Sequence, residues 1–177
     1  MGQLLTRSAP IHPPQVVLVG LDSSGKSTLL TRLLTGELME TSPTVGFNVG
    51  TLELDQKDAM TLWDLGGQPP MRTHWRQYLD GCRALVFVVD SSDHGRMPEA
   101  RAALRRLLSE EQLNGVPLMV LANKKDLDGT LTIREVSRCL ELDSYLDRRW
   151  EIQSCSGRQG LGLQQAFISV ARLIKKS

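Results

Sequence analysis

The stretch QVVLVGLDSSGKSTLLTRLL, residues 15 to 34, decides how the rest of the chain is read. An apolar run of strand length passes through glycines, serines and a lysine into a leucine pattern of helical spacing. Glycine weakens regular structure, and a lysine in a first helical turn opposes the positive end of the helix dipole. Both costs make sense if an anion occupies the junction. Gly20, Gly25, Lys26 and Ser27 satisfy G-x-x-x-x-G-K-[ST] in the strand, loop and helix setting that the motif requires. Such a loop points successive N–H groups at phosphates, backed by the partial positive charge of the helix start. Leu21, Asp22, Ser23, Ser24 and Thr28 complete the loop. Lys26 is expected to reach the β and γ phosphates and the Ser27 hydroxyl to ligate Mg²⁺.

Working outward, further strand-length runs occur at 59–64 (AMTLWD), 84–90 (ALVFVVD), 117–123 (PLMVLAN) and 150–156 (WEIQSCS). Most are continuous rather than alternating, as expected for strands covered on both faces. Helical patterns at 97–113, 132–142 and 162–176 lie between or after them. Strands alternating with helices imply right-handed crossovers and a mainly parallel sheet. FNVGTLEL (47–54) instead alternates apolar and polar, and DQKD (55–58) reads as a turn, which makes residues 47–64 an antiparallel hairpin at a sheet edge. The expected fold is α/β: one P-loop domain over 15–177, a six-stranded mainly parallel sheet with one antiparallel edge hairpin, and helices on both faces. Residues 1–14, with Pro10, Pro13 and Pro14, form a peripheral segment.

The chain of 177 residues has 21 Lys and Arg against 20 Asp and Glu, a net charge of +1, so it carries no global field for nucleic acid. Cys82, Cys139 and Cys155 are odd in number and widely spaced, which suits neither a disulfide framework nor a zinc site and fits reduced thiols. No apolar stretch has the length of a membrane span. His12, His74 and His94 show no metal-ligating or catalytic spacing.

NKKD (123–126) follows a buried strand and so falls at the carboxyl edge of the sheet, where open α/β sheets bind ligands. Guanine offers two adjacent donors, N1–H and the exocyclic amine, which the Asp126 carboxylate can accept together. Adenine would leave that carboxylate unpaired, at a cost of several kcal/mol. Asn123 can bond the base and tie neighbouring loops, and the Lys124 stem can cover the base plane. WDLGGQ (63–68) also ends a strand: Asp64 fits the acidic residue that holds Mg²⁺ through water, Gly67 can offer its N–H to the γ phosphate beside Gly66, and Gln68 can orient the attacking water. In PTVGFN (43–48), Thr44 can complete the Mg²⁺ and γ-phosphate shell, so that this loop is ordered by the triphosphate.

GLDSSGKST, PTVGFNV, WDLGGQ, WRQYL and NKKD, in this order from about residue 15 to the end, resemble the Ras-like small GTPases, and within them the ADP-ribosylation factor and Arf-like family. The resemblance implies a switch between GDP and GTP, read by effectors, an exchange factor and an activating protein. It implies that Phe47, Trp63 and Tyr78 form the effector patch, and that the amides of Ser156 and Gly157 in SCSG (154–157) meet the guanine oxygen. It also implies a cytoplasmic protein, peripheral on intracellular membranes such as the Golgi or vesicles and active in vesicle trafficking or signalling.

MGQLLT matches M-G-x-x-x-[ST], which makes Gly2 a candidate for myristoylation. One myristoyl chain binds a bilayer only marginally, so a second signal is needed. Leu4, Leu5 and Ile11 could add apolar area, but Arg7 is the only cation before residue 26. Three departures from the family stand out. Pro69 and Pro70 follow Gln68, which either misplaces that glutamine or stiffens the loop. Gly50 stands where the family often has an acidic residue, with a hairpin turn one residue longer, and the N-terminal segment is shorter. Two rival functions are a GTP-binding adaptor that does not hydrolyse, because of the Gln68–Pro69 junction, and a nucleoside kinase, which would need a lid insertion that the sequence lacks.

Overall fold

The computed structural model describes residues 13–36, 46–54 and 58–177. Strand β1 (Gln15–Gly20) leads to helix α1 (Lys26–Thr35), then β2 (Phe47–Glu53), β3 (Ala59–Leu65), a single turn α2 (Pro69–Arg72) and β4 (Cys82–Asp90). Helix α3 (Met97–Leu108), β5 (Leu118–Asn123), α4 (Ile133–Leu140), β6 (Trp150–Ser154) and α5 (Leu163–Lys175) complete the order. The six strands form one sheet in the order β2-β3-β1-β4-β5-β6. Only β2 and β3 pair antiparallel, with Val49 opposite Trp63; the other four pairs are parallel. This is the mixed sheet with an edge hairpin that the sequence implies.

The continuous apolar strands follow from burial on both faces. In β1, Val16 and Leu18 pack with Leu29 of α1 and Phe167 of α5, whereas Val17 and Val19 face the layer containing Leu104 of α3 and Val136 of α4. The strand period of two divides each central strand between two cores, so the middles of β1, β4 and β5 are apolar on both faces. Edge strand β2 has one face bare and keeps the alternation: Leu52 is buried, while Phe47, Val49 and Thr51 are exposed.

Some boundaries differ from the sequence reading. The helix expected over 97–113 stops at Leu108, and a separate 3-10 turn covers Glu111–Leu113. Ser109 ends it by turning its hydroxyl onto the Arg106 carbonyl at 2.6 Å, a local bond that competes with the helix ladder. The last strand stops at Ser154, because Cys155 and Ser156 bend toward β5: the Lys125 amide donates to the Cys155 carbonyl at 3.1 Å. Gly50 packs under Leu34 of α1, where an added Cβ would lie 2.6 Å from Leu34 Cδ1. An acidic side chain there would displace that leucine.

Candidate nucleotide-binding site

The carboxyl ends of β1, β3 and β5 open onto the same side of the sheet, and each hands over to one of the motif loops. After β1 the chain turns through Leu21–Gly25. Gly25 has φ +90, a left-handed conformation that L side chains resist, and a Cβ there would stand 2.5 Å from Asn123 Nδ2. Helix α1 starts at Lys26, which brings the positive end of its dipole to the loop.

Lys26 is buried, and its ammonium pairs with the fully buried Asp64 at the end of β3. Burying these charges is costly even as a pair, and either one left alone would carry an uncompensated desolvation penalty. The Ser27 hydroxyl donates to the other Asp64 oxygen at 3.1 Å. Ser27 and Asp64 therefore supply adjacent oxygen donors of the kind a hard cation takes, and Lys26 supplies a point charge beside them. The buried Ser24 hydroxyl has no hydrogen-bond partner among the described residues, an orphaned polar atom within the phosphate loop. These features fit a Mg²⁺-bound polyphosphate. Thr44 lies outside the described residues, as does Gly2.

Gly66 and Gly67 hold the second loop against the first. The Gly66 carbonyl accepts from the buried Trp75 indole N–H at 2.8 Å, and its amide donates to the Gly46 carbonyl at 2.9 Å. The Gly67 carbonyl accepts from the Asp22 amide at 3.0 Å. A Cβ on Gly67 would lie 2.4 Å from the Gly20 carbonyl oxygen, so only glycine allows this approach. Gln68 is extended (φ −66, ψ 145), and α2 begins at the next residue. Pro69 and Pro70 thus start a helical turn, the position proline tolerates best.

At the end of β5, Asn123 brackets two loops. Its Nδ2 donates to the Ser24 carbonyl at 3.0 Å, and its Oδ1 accepts from the Gly157 amide at 2.9 Å. Lys124, with φ +67, sends its ammonium to the Ser23 carbonyl at 2.7 Å and to Asp90 at 2.9 Å. Burial favours protonation of Asp90, but hydrogen bonds from Ser92 and Lys124 outweigh it and hold the carboxyl below its ordinary value. Asp126 accepts from the Ser156 hydroxyl at 2.7 Å, and that hydroxyl in turn accepts from the Gln159 amide at 3.0 Å. From α1, Arg32 donates to the Arg158 and Gln159 carbonyls at 3.0 and 3.1 Å, which fastens the same loop from outside.

Phe47, Trp63 and Tyr78 come together as the resemblance implies. Phe47 is 5.3 Å from Trp63 and 5.2 Å from Tyr78, centroid to centroid. Phe47 is 43% exposed and its neighbour Val49 51%, so the cluster shows an apolar face at the hairpin edge. His74 meets Gln77 and His94 meets the Gly129 carbonyl, while His12 lies outside the described residues. No group of three or more His, Cys, Asp or Glu residues among the described ones could hold a metal.

Three residues of the site carried no assigned role in the sequence reading: Arg72, Trp75 and Arg96. Arg96 donates to the Asp22 carboxylate at 2.7 Å and to the Asp22 carbonyl at 2.9 Å. Its hydrogen bond is the main reason that the Asp22 carboxyl sits below the usual carboxylate range. The partners lie 74 residues apart, and nothing in local spacing marks them.

Sheet order, the G-x-x-x-x-G-K-[ST] loop and the Asn123 tie between loops are those of a small GTPase, a switch protein that binds guanine nucleotides. Residues 7–174 match the ADP-ribosylation factor family. ADP-ribosylation factor-like protein 3 of Chlamydomonas reinhardtii is 41% identical over 161 residues, covering 91% of this chain and 90% of the relative. ADP-ribosylation factor J of Dictyostelium discoideum is 41% identical over 157 residues, covering 89% and 83%. The Arl6 (BBS3) small GTPase of Trypanosoma brucei, solved with the nucleotide analogue GppNp, superposes with a TM-score of 0.82 at 34% identity, covering 92% of this chain and 97% of that one. The chain belongs to the ADP-ribosylation factor family of small GTPases.

Proposed function

We propose that this protein cycles between GDP and GTP forms, hydrolyses GTP slowly by itself, and in the GTP form recruits effector proteins through Phe47, Trp63 and Tyr78 at an intracellular membrane. The observation that carries this reading is the Asn123 bracket, which ties the base-side loop at Gly157 to the phosphate loop at Ser24. A base held by Asp126 and a triphosphate held by Lys26 are then presented by one connected frame. The chain would grip the nucleotide with residues 20–28, Asn123, Lys124, Asp126, Ser156 and Gly157, and Gln68 would orient the attacking water. Ser27, Thr44 and Asp64 would hold Mg²⁺, which supplies charge neutralisation at the phosphates.

Slow turnover is supported by where the nearby guanidinium groups are spent. Arg72 and Arg96 are both engaged by Asp22 and Glu99, so the cation that stabilises phosphoryl transfer is expected from an activating protein, with a gain of about 10³ to 10⁵ in rate. Membrane attachment would come from a myristoyl group on Gly2, with residues 1–14 as the attaching segment and 15–177 as the GTPase domain. Among the described residues no helix is long and apolar enough to cross a membrane.

Competition of GTP and ATP for the purified protein, followed by single-turnover hydrolysis of preloaded GTP, tests the core of this reading. Guanine preference with slow but measurable phosphate release supports it. Equal affinity for ATP refutes the base assignment. Phosphate release that stays absent even with an activating protein replaces the switch with a GTP-binding adaptor. Intact mass after production beside a myristoyltransferase tests Gly2.

A further inference from the structure

Pro69 and Pro70 set the geometry from which a new role follows. Proline restricts the residue before it to extended backbone, which is the conformation of Gln68, and its fixed φ suits the first positions of a helix. The Met71 amide closes the turn onto the Gln68 carbonyl at 2.8 Å. Arg72, at the end of that one turn, folds back over it. Its Nε donates to the Gly67 carbonyl at 2.9 Å, Nη2 to the Asp22 carboxylate at 3.0 Å, and Nη1 pairs with Glu99 of α3 at 2.8 Å.

We propose that Arg72 is a positioning residue for Gln68, clamping the Gly67–Gln68 peptide to the phosphate loop. The proposal rests on the hydrolytic reading given above. The oxygen of that peptide accepts two hydrogen bonds, from Arg72 and from the Asp22 amide, while the preceding carbonyl is fixed by Trp75. Gln68 therefore cannot rotate about its backbone without breaking contacts to both the phosphate loop and α3. Asp22 is itself anchored by Arg96, so the clamp has a fixed base rather than a swinging partner. A planar guanidinium fork can serve a carbonyl and two carboxylates at once; a lysine ammonium on its single stem cannot span all three. Misplacing a catalytic group by about 1 Å costs on the order of 10²-fold in rate, so a clamp one residue from Gln68 has large leverage.

The test uses the full chain, R72A and R72K, each preloaded with GTP and Mg²⁺. Phosphate release in a single turnover, dissociation of a fluorescent GDP analogue, and amide exchange at Gly66, Gly67, Gln68 and Met71 with a slowly hydrolysed GTP analogue are measured. Loss of the clamp is expected to slow phosphate release by about tenfold or more in both variants and to speed exchange at Gly66, Gly67, Gln68 and Met71 by about tenfold, with GDP dissociation read beside them to separate a misplaced Gln68 from a general loosening of the nucleotide site. Cooperative urea unfolding of the GDP-loaded variants shows that they are folded, and R72K covers the case in which R72A is not. Wild-type rates in R72A overturn the proposal, as does full rescue by R72K, which would reduce Arg72 to a charge. A wild-type chain that hydrolyses no faster than Q68L refutes the hydrolytic reading and the catalytic consequence with it, while amide exchange that differs between wild type and R72A still establishes the clamp.

Discussion

Asn123 and Ser24 lie 99 residues apart in the chain and are joined by a single hydrogen bond of 3.0 Å, from the Asn123 side chain to the Ser24 main-chain carbonyl. The same side chain accepts the Gly157 amide, so Asn123→Ala leaves two buried main-chain groups without partners. Each orphaned group costs about 1–3 kcal/mol, and a loss of about 2–4 kcal/mol in unfolding free energy is expected for the GDP-loaded protein. Urea denaturation measures it. Nucleotide should also dissociate faster, because the phosphate and base loops then move independently.

The bond between Ser156 and Asp126 at 2.7 Å orients the carboxylate that we assign to guanine recognition. Asp126→Asn replaces an acceptor pair by one acceptor and one donor, which suits xanthine in place of guanine. Affinity for GTP is expected to fall on the order of 10³-fold, with xanthosine triphosphate recovering much of it. Ser156→Ala leaves the carboxylate in place but unguided, and a drop of about tenfold without any change of base preference is expected. Competition binding with the two nucleotides separates these outcomes; equal loss for both bases in Asp126→Asn would refute the assignment.

Much of this frame was legible in the sequence because it is local. The phosphate loop needs Gly25 at positive φ next to Lys26, and both needs appear within nine residues. The edge hairpin was legible because β2 alternates while the central strands β1, β4 and β5 run continuously apolar. What escaped the sequence depends on the approach of distant segments. Arg72 contacts Asp22 fifty positions away, and Lys124 reaches back to Ser23 across a hundred and one. An arginine in an exposed-looking turn has the same local signature whether it is solvated or clamped. The early stop of α3 at Ser109 shows the remaining limit: a serine hydroxyl turned onto its own helix outweighed an apolar pattern that continued to Leu113.

Three free cysteines occupy different depths, and their chemistry should divide accordingly. Burial pushes the Cys82 thiol up to about 11 and that of Cys155 up to about 12, so neither is a thiolate near pH 8. Cys139 is only half-buried. Alkylation of the native protein at pH 8 should add one group rapidly, and three after unfolding, as read by intact mass. The sign of the pH effect is fixed as well. The folded values lie above the ordinary thiol value of 9.0, so this contribution to stability is complete below pH 9 and is lost as pH rises toward 11 and 12. Replacing both residues by alanine should flatten that alkaline decline.

The Arg148 side chain is only 2% exposed, and its partners are chiefly main-chain oxygens. Nη1 donates to the Leu113 carbonyl at 2.8 Å and the Val116 carbonyl at 3.1 Å, and Nη2 to the Leu108 carbonyl at 3.3 Å. It therefore caps the end of α3 and ties down the turn that feeds β5, an arrangement in which charge sits at the negative pole of a helix. Arg148→Ala removes three donors from buried acceptors and leaves a void. Unfolding free energy should drop by about 2–4 kcal/mol, and Arg148→Lys should restore only part of it, since one ammonium cannot reach all three carbonyls. The cap is remote from the residues assigned to the nucleotide, so GDP affinity measured well below the melting temperature should stay within about twofold of wild type. A matching loss of affinity would show instead that the β5 end, and Asn123 with it, depends on this cap for its position.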